Sequence, residues 1–255
     1  MAVTKIALIL EYDGTNYYGF QLQAELPTIQ SELEAALWKL TGDRIRISGA
    51  SRTDSGVHAR GQVVSFRTKS ELPPATFVKG LNHYLSKDIA VKAAHKIADS
   101  FDVRRGAISR EYNYYILNNV TRSPLRQHFC HQVAGELNLE TMNTACQALI
   151  GKQDLTSFAS ALGDKIKNTI RTVCRAEMQK DGDMVIFNII ANSFLPHQVR
   201  NTVGALIRVG LGKMTVDDFH SIIKSRQPGL AGPTAPARGL CLVRVNYPRP
   251  LGEEV

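Results

Sequence analysis

The order in which hydrophobic periodicities follow one another most constrains what this chain can fold into. Residues 4–12 are an Ile, Leu and Ala run with few polar breaks and read as a strand. Ile29, Leu33, Ala36, Leu37 and Leu40 then recur at helical spacing, with Thr28 placed to cap the helix and Gly42 to end it. Strands are expected over 44–49 and 62–67. Pro73-Pro74 opens a second helix with Phe77, Val78, Leu81 and Leu85 turned inward, and 89–95 reads as a fourth strand. This β-α-β-β-α-β order is the ferredoxin-like split motif. It also underlies the RNA-recognition module, although the strands carry no clean aromatic signature of that module.

The second half repeats the order more loosely. Residues 110–117 alternate Tyr with polar residues, and Leu139, Met142, Ala145, Cys146 and Leu149 mark a helix. Strands over 170–179 and 184–191 flank Asp181-Gly182, a strong hairpin signal. Helices over 195–209, capped by Ser193, and 216–224 precede a last strand over 240–245. The expected fold is α/β of the α+β kind, with two ferredoxin-like or RRM-like units whose mainly antiparallel sheets form a central cleft. The expected domains are 1–105 and 106–247, followed by a loose tail over 248–255 that contains two prolines and two glutamates.

The connection over 48–62 is too long for a plain hairpin turn, which needs two to five residues. It holds three glycines, two arginines, one histidine and a single acid, Asp54, flanked by Arg52 and Arg60. Long loops in compact domains are usually functional or disordered, and the flanking strands argue against disorder. Glycines let the backbone turn sharply and a ligand come close. Nearby guanidinium groups favour an ionised carboxylate. Such a loop can present one carboxylate to an anionic ligand whose phosphates the arginines hold. An Asx-turn at Asp54 with a surface ion pair reads the same residues without function.

With 255 residues, 44% of them apolar, the chain can bury a real core. A net charge of +8 fits a polyanionic partner. Cys130, Cys146, Cys174 and Cys241 show no Cys-x-x-Cys spacing, which argues against a zinc site and fits a reduced cytosol. His128, Cys130 and His131 lack the usual ligand spacing. No signal peptide and no apolar run approaching a membrane span is seen, so the expected location is cytoplasmic.

The residues Arg52-Thr53-Asp54-Ser55-Gly56-Val57-His58-Ala59 resemble the active-site motif of the tRNA pseudouridine synthase A family, approximately Gly-Arg-Thr-Asp-Ala-Gly-Val-His-Ala. Ser51 stands for the first glycine and Ser55 for the alanine. Residues 12–21 resemble the family's Tyr-Asp-Gly-Thr-x-Tyr-x-Gly-Trp-Gln, with Phe20 in the tryptophan place. Arg110-Glu111-Tyr112-Asn113-Tyr114 matches Arg-x-Tyr-x-Tyr. Phe194 to Arg200 matches Phe-Leu-x-x-Met-Val-Arg with Gln198 in place of the methionine. Further matches lie at 154–158 and 235–240, and a weaker one at 101–104. The ordered set runs from Lys5 to about Tyr247.

The resemblance implies a cofactor-free isomerase that turns uridine into pseudouridine at positions 38, 39 and 40, in the anticodon stem-loop of tRNA. It makes Asp54 the nucleophile, Tyr112 the substrate-contacting tyrosine and Arg200 the arginine that pairs with Asp54. Arg52, His58 and Arg60 would bind substrate. Alternation along a strand puts Tyr112 and Tyr114 on one side and Glu111, Asn113 and Tyr115 on the other; sheet packing is the expected role of Tyr114 and Tyr115. The implied partners are tRNA and a second copy of the chain, with no membrane. The competing readings are a non-catalytic RNA-binding module and a small-molecule hydrolase with Asp54 as base. The first has no need of a lone carboxylate where it repels phosphate. The second usually shows a further acid, nucleophile or metal ligands, and no such set is assembled here.

Overall fold

The computed structural model describes residues 3–160 and 168–253. The chain divides into two compact units, Met1–Arg110 with Leu242–Val255, and Glu111–Cys241. The expected boundary at 105/106 thus compares with one at 110/111, and the chain's end groups with its beginning.

In the first unit the elements are β1 (Thr4–Tyr12), α1 (Ile29–Thr41), β2 (Ser48–Gly49), β3 (His58–Thr68), α2 (Pro74–Tyr84) and β4 (Ile89–Ile97). β1 lies between β3 and β4 and is antiparallel to both, and β2 pairs with β3, which gives the order 4-1-3-2 of a split motif. The helix signals are realised atom by atom. Thr28 accepts from the Ser31 N–H while the Ser31 side chain accepts from the Thr28 N–H, a reciprocal cap. Gly42 closes α1 at φ 77°, a left-handed conformation that costs glycine little. Leu33 and Leu37 of α1, Phe77 and Leu81 of α2, and Leu8, Leu10, Val64 and Phe66 of the sheet are buried together in this unit's core.

Two strand expectations change. The strand expected over 44–49 shrinks to Ser48–Gly49. Ile45 and Ile47 are buried all the same, with the Ile47 N–H donating to the Glu34 carboxylate instead of to a strand. The strand expected from 62 begins at His58, so the irregular part of the connection is shorter than expected and His58 and Arg60 belong to β3. Between Leu10 opposite Gln62 and Tyr12 opposite Ala59 the register slips by a bulge on the β3 side. Bulges often sit beside active sites, where they re-aim a side chain.

β5 (Ser109–Leu117), which counts with the second unit from Glu111, is followed there by β6 (His131–Gln132), α3 (Leu139–Gln147), β7 (Gly151–Asp154), β8 (Ile170–Asp181), β9 (Met184–Ala191), α4 (Gln198–Gly210) and α5 (Val216–Ser225). Its strands run in the order β5-β9-β8-β7, with β8 antiparallel to both neighbours β9 and β7. Gly182 makes the expected hairpin at φ 59°. The short strands β6 and β7 and the 3-10 turn Thr156–Phe158 were not expected. α4 starts three residues later than expected, and Ser193 does not cap it: its N-cap is His197, left-handed at φ 57° and without a side-chain cap bond. Pro196 just before it disfavours helix at Leu195.

The last strand, β10 (Leu240–Asn246), begins in the second unit and from Leu242 counts with the first, beside β3. Gly61 allows that approach: a methyl group there would lie 2.5 Å from the Val243 carbonyl oxygen. The Ile108 N–H donates to the Asn246 carbonyl at 2.9 Å, and Tyr247 donates to the Val103 carbonyl at 2.6 Å. The described part of the expected tail makes a turn, the Glu253 N–H donating to Pro250; its last two residues lie outside the described residues.

Candidate active site

The Asp54 loop leaves β2 and enters β3, and buried groups hold it at both ends. At its start the Ala50 N–H donates to the Val63 carbonyl at 2.8 Å, and the buried Arg110 guanidinium donates to the Ala50 carbonyl at 3.0 Å. The Gln62 carboxamide, wholly buried, takes both backbone groups of Ser51: its Oε1 accepts the N–H at 3.3 Å and its Nε2 donates to the carbonyl at 2.9 Å. Further on, the Tyr12 and Thr53 hydroxyls share a hydrogen bond of 2.8 Å, and the Phe20 N–H donates to the Thr53 carbonyl at 3.0 Å. Past Asp54, the Val57 N–H closes a turn onto the Asp54 carbonyl at 3.1 Å, with Gly56 at φ 75°. Asp54 itself is half-buried, while Arg52 and Arg60 are exposed.

The segment after β1 packs against this loop with no room to spare. A methyl on Gly14 would meet the Val57 carbonyl oxygen at 2.0 Å, and one on Gly19 (φ 87°) the Thr53 carbonyl oxygen at 2.8 Å. Asp13 makes an Asx-turn, accepting from the Thr15 N–H at 2.9 Å. His58 is only 5% exposed, its Nδ1 3.1 Å from both the Gly14 N–H and the Asp13 carboxylate. A neutral ring protonated on Nε2 accepts from Gly14 there; a charged ring donates to Asp13 instead. Tyr17 is buried against Ser86 and Asp88, its hydroxyl 2.8 Å from each. Burial pushes its phenol up to about 12, with Asp88 adding to the rise. These rings pack, and Tyr18 alone of this segment's tyrosines is exposed.

In the second unit the alternation along β5 is as expected. Tyr112 and Tyr114 are buried, and Glu111 and Asn113 converge on the Asn188 amide at 2.9 and 2.7 Å. Tyr114 is a packing residue: its ring is fully buried, its hydroxyl donates to the Pro236 carbonyl at 2.8 Å, and burial raises its pKa. Tyr112 meets Phe194 edge-on at 5.1 Å. Arg200 lies in the first turn of α4. Its Nε donates to the Ala235 carbonyl at 2.8 Å, and the Ala235 N–H donates back to the Arg200 carbonyl at 3.2 Å. Gly204 permits that closeness, since a methyl there would lie 2.0 Å from the Pro233 carbonyl oxygen. The face that carries Asn201 is not solvated: Asn201 is buried, bonded to the Phe158 carbonyl and the Thr234 hydroxyl. Gln198, where the family pattern has methionine, is buried and accepts from the Leu195 N–H at 2.9 Å.

Asp54, Arg52, His58 and Arg60 therefore share one loop and strand start in the first unit, while Tyr112 and Arg200 lie in the second. Sequence reasoning quoted Tyr12 and Arg110 in its motifs but gave neither them nor Gln62 a part in holding the loop. The one signal for Gln62 was a lone amide directly before an apolar strand run.

A family model described as tRNA pseudouridine synthase matches residues 8–104 and 145–248. The chain belongs to the tRNA pseudouridine synthase family. Among its relatives, a protein of Thermoanaerobacter sp. (strain X514) called tRNA pseudouridine synthase A is 40% identical over 242 residues, 95% of this chain and 99% of the relative. Proteins of the same name from Exiguobacterium sp. and Francisella tularensis subsp. novicida are 42% and 39% identical over 95% and 94% of the chain, and over 98% and 93% of their own lengths. The matched segments include the Asp54 loop and Arg200 but stop short of Tyr112, whose reading rests on its motif.

Proposed function

We propose that this protein isomerises uridine to pseudouridine in tRNA, in the anticodon stem-loop at positions 38, 39 and 40, with Asp54 as the nucleophile. The observation that carries the reading is a single half-buried carboxylate on a loop gripped by buried side chains, in a chain of this family. The reaction breaks the bond between ribose C1′ and base N1. The base turns, C5 bonds to C1′, the C5 proton leaves and N1 ends protonated. Atoms balance with no oxidant and no cofactor. An aspartate is ionised at neutral pH and can attack, at ribose C1′ or base C6.

The other roles follow the resemblance. Arg200 orients the carboxylate, and Tyr112 stacks on the base and serves the proton transfer. A base within a stem must leave the stack at a cost of roughly a few kcal/mol; exposed Arg52 grips the opened site, with Arg60 and His58 contributing to the binding surface. The net charge of +8 suits an RNA partner and predicts binding that weakens as salt rises. We further propose that the enzyme works in the cytoplasm, which its cysteine spacing suits, and as a homodimer, which sedimentation at micromolar protein reads out.

The test is release of tritium from C5-labelled uridine in tRNA with no cofactor added. Wild-type protein releases it; Asp54→Ala and Asp54→Asn do not, yet bind tRNA with the wild-type affinity. Turnover by either variant at a rate near wild type overturns the assignment.

A further inference from the structure

β2 and β3 pair through only two residues, Ser48 opposite Ser65 and Gly49 opposite Val64. The Ala50 N–H reaches Val63 and adds half a rung. The pairing of β2 with β3 ends at Gly49, so Ser51 lies two residues beyond it. The Gln62 side chain supplies a rung there. Its carboxamide offers one acceptor and one donor in a plane, as a peptide group does, and takes both the N–H and the carbonyl of Ser51. Its Oε1 also accepts from the Val63 N–H at 3.1 Å, which locks the amide's orientation. Beyond this rung the chain departs, and Asp54 is three residues away.

We propose that Gln62 is a positioning residue for the reaction: it acts as a surrogate backbone rung that fixes where the catalytic loop leaves the sheet, and thereby where the Asp54 carboxylate points. This rests on the functional reading above. Three features make the placement sensitive. The amide is wholly buried, so no water replaces a lost bond. The bulge between Gln62 and Ala59 breaks the register of β3 with β1 at the loop's other end. The next hold on the loop, at Thr53, comes from Tyr12 and Phe20, so the segment that leads into Asp54 is pinned at Ser51 and Thr53.

The experiment compares full-length wild type, Gln62→Met and Gln62→Glu. Single-turnover tritium release, tRNA affinity and thermal unfolding are measured for each. Methionine fills nearly the same volume but makes neither bond. The expected result is a rate lowered about 10- to 100-fold, as for small misplacements of a reacting group, with tRNA affinity within about 2-fold. Glutamate adds a readout that a packing role does not move. When ionised it presents only acceptors and repels the Ser51 carbonyl. When protonated it donates to that carbonyl, accepts the Ser51 N–H and restores the rung. Burial raises a carboxyl pKa, so the ratio of the Gln62→Glu rate to the wild-type rate should climb as pH falls from about 8 to about 5.5. If Gln62→Met does not fold, that ratio on folded Gln62→Glu decides alone. A Gln62→Met rate equal to wild type, or a flat ratio, overturns the positioning role while the wild type still releases tritium. A wild type that releases none overturns the functional reading, and this role with it.

Discussion

At the residue scale, the loop segment after β1 is tied to the rest of its unit by Tyr17, whose environment makes a pH prediction. Its phenol is buried and bonded to Ser86 and Asp88, and its pKa stands at about 12 rather than 10. Folding thus favours the neutral phenol. Below pH 10 both states hold the proton and the contribution to stability is complete. Between 10 and about 12 the unfolded chain sheds a proton that the folded one keeps, so stability falls as pH rises. Tyr114, raised by burial as well, pulls in the same direction. The expected outcome is an unfolding midpoint that drops across this range in wild type and drops less steeply in Tyr17→Phe. The variant should be less stable at neutral pH, because it gives up hydrogen bonds worth about 1.5–3 kcal/mol when one partner is charged. Midpoints by circular dichroism at a series of pH values check both slopes.

At the scale of elements, the first unit separates what holds a helix from what holds the site. Thr28 caps α1 and is buried. The missing side chain of Gly14 lets the turn after β1 lie on the Val57 carbonyl, three residues past Asp54. Thr28→Ala should cost about 1 kcal/mol, the usual loss of a cap. Gly14→Ala must push the two loops apart; overpacking of this kind costs about 1–3 kcal/mol. The two variants should therefore have comparable stability in urea and unlike activity: Gly14→Ala slow in tritium release, Thr28→Ala near wild type. Equal activities would show that the contact at Val57 does not set the loop.

For the whole chain, the end of the sequence belongs structurally to its beginning. β10 runs beside β3, Asn246 accepts from Ile108 and donates to Ser109, and Tyr247 packs on Phe101 with ring centres 5.6 Å apart. Removing residues 248–255 should leave urea unfolding unchanged within about 0.5 kcal/mol, as for surface changes. Removing 242–255 takes a strand from the sheet and the partner from Gly61, and should leave the first unit unfolded. Denaturation curves of the two truncated chains decide this, and a stably folded chain ending at Cys241 would contradict it.

How much of this was legible beforehand follows the range of the forces. The helix limits at Thr28, Gly42 and Pro73-Pro74 and the hairpin at Gly182 depend on atoms within a few residues, so residue order alone determined them. The motif around Asp54 and the alternation along β5 were legible for the same reason. The late start of α4 was legible too, since Pro196 disfavours helix at Leu195 whatever Ser193 and the apolar stripe suggest. Two things waited for the tertiary structure. The start of β3 at His58 is set by its pairing with β1, more than forty residues earlier. Gln62 read as one polar residue beside an apolar run; that it is buried and bonded to Ser51 is a fact about two segments eleven residues apart. A buried amide must find partners, but which partners it finds depends on the path of a chain that local preferences do not specify.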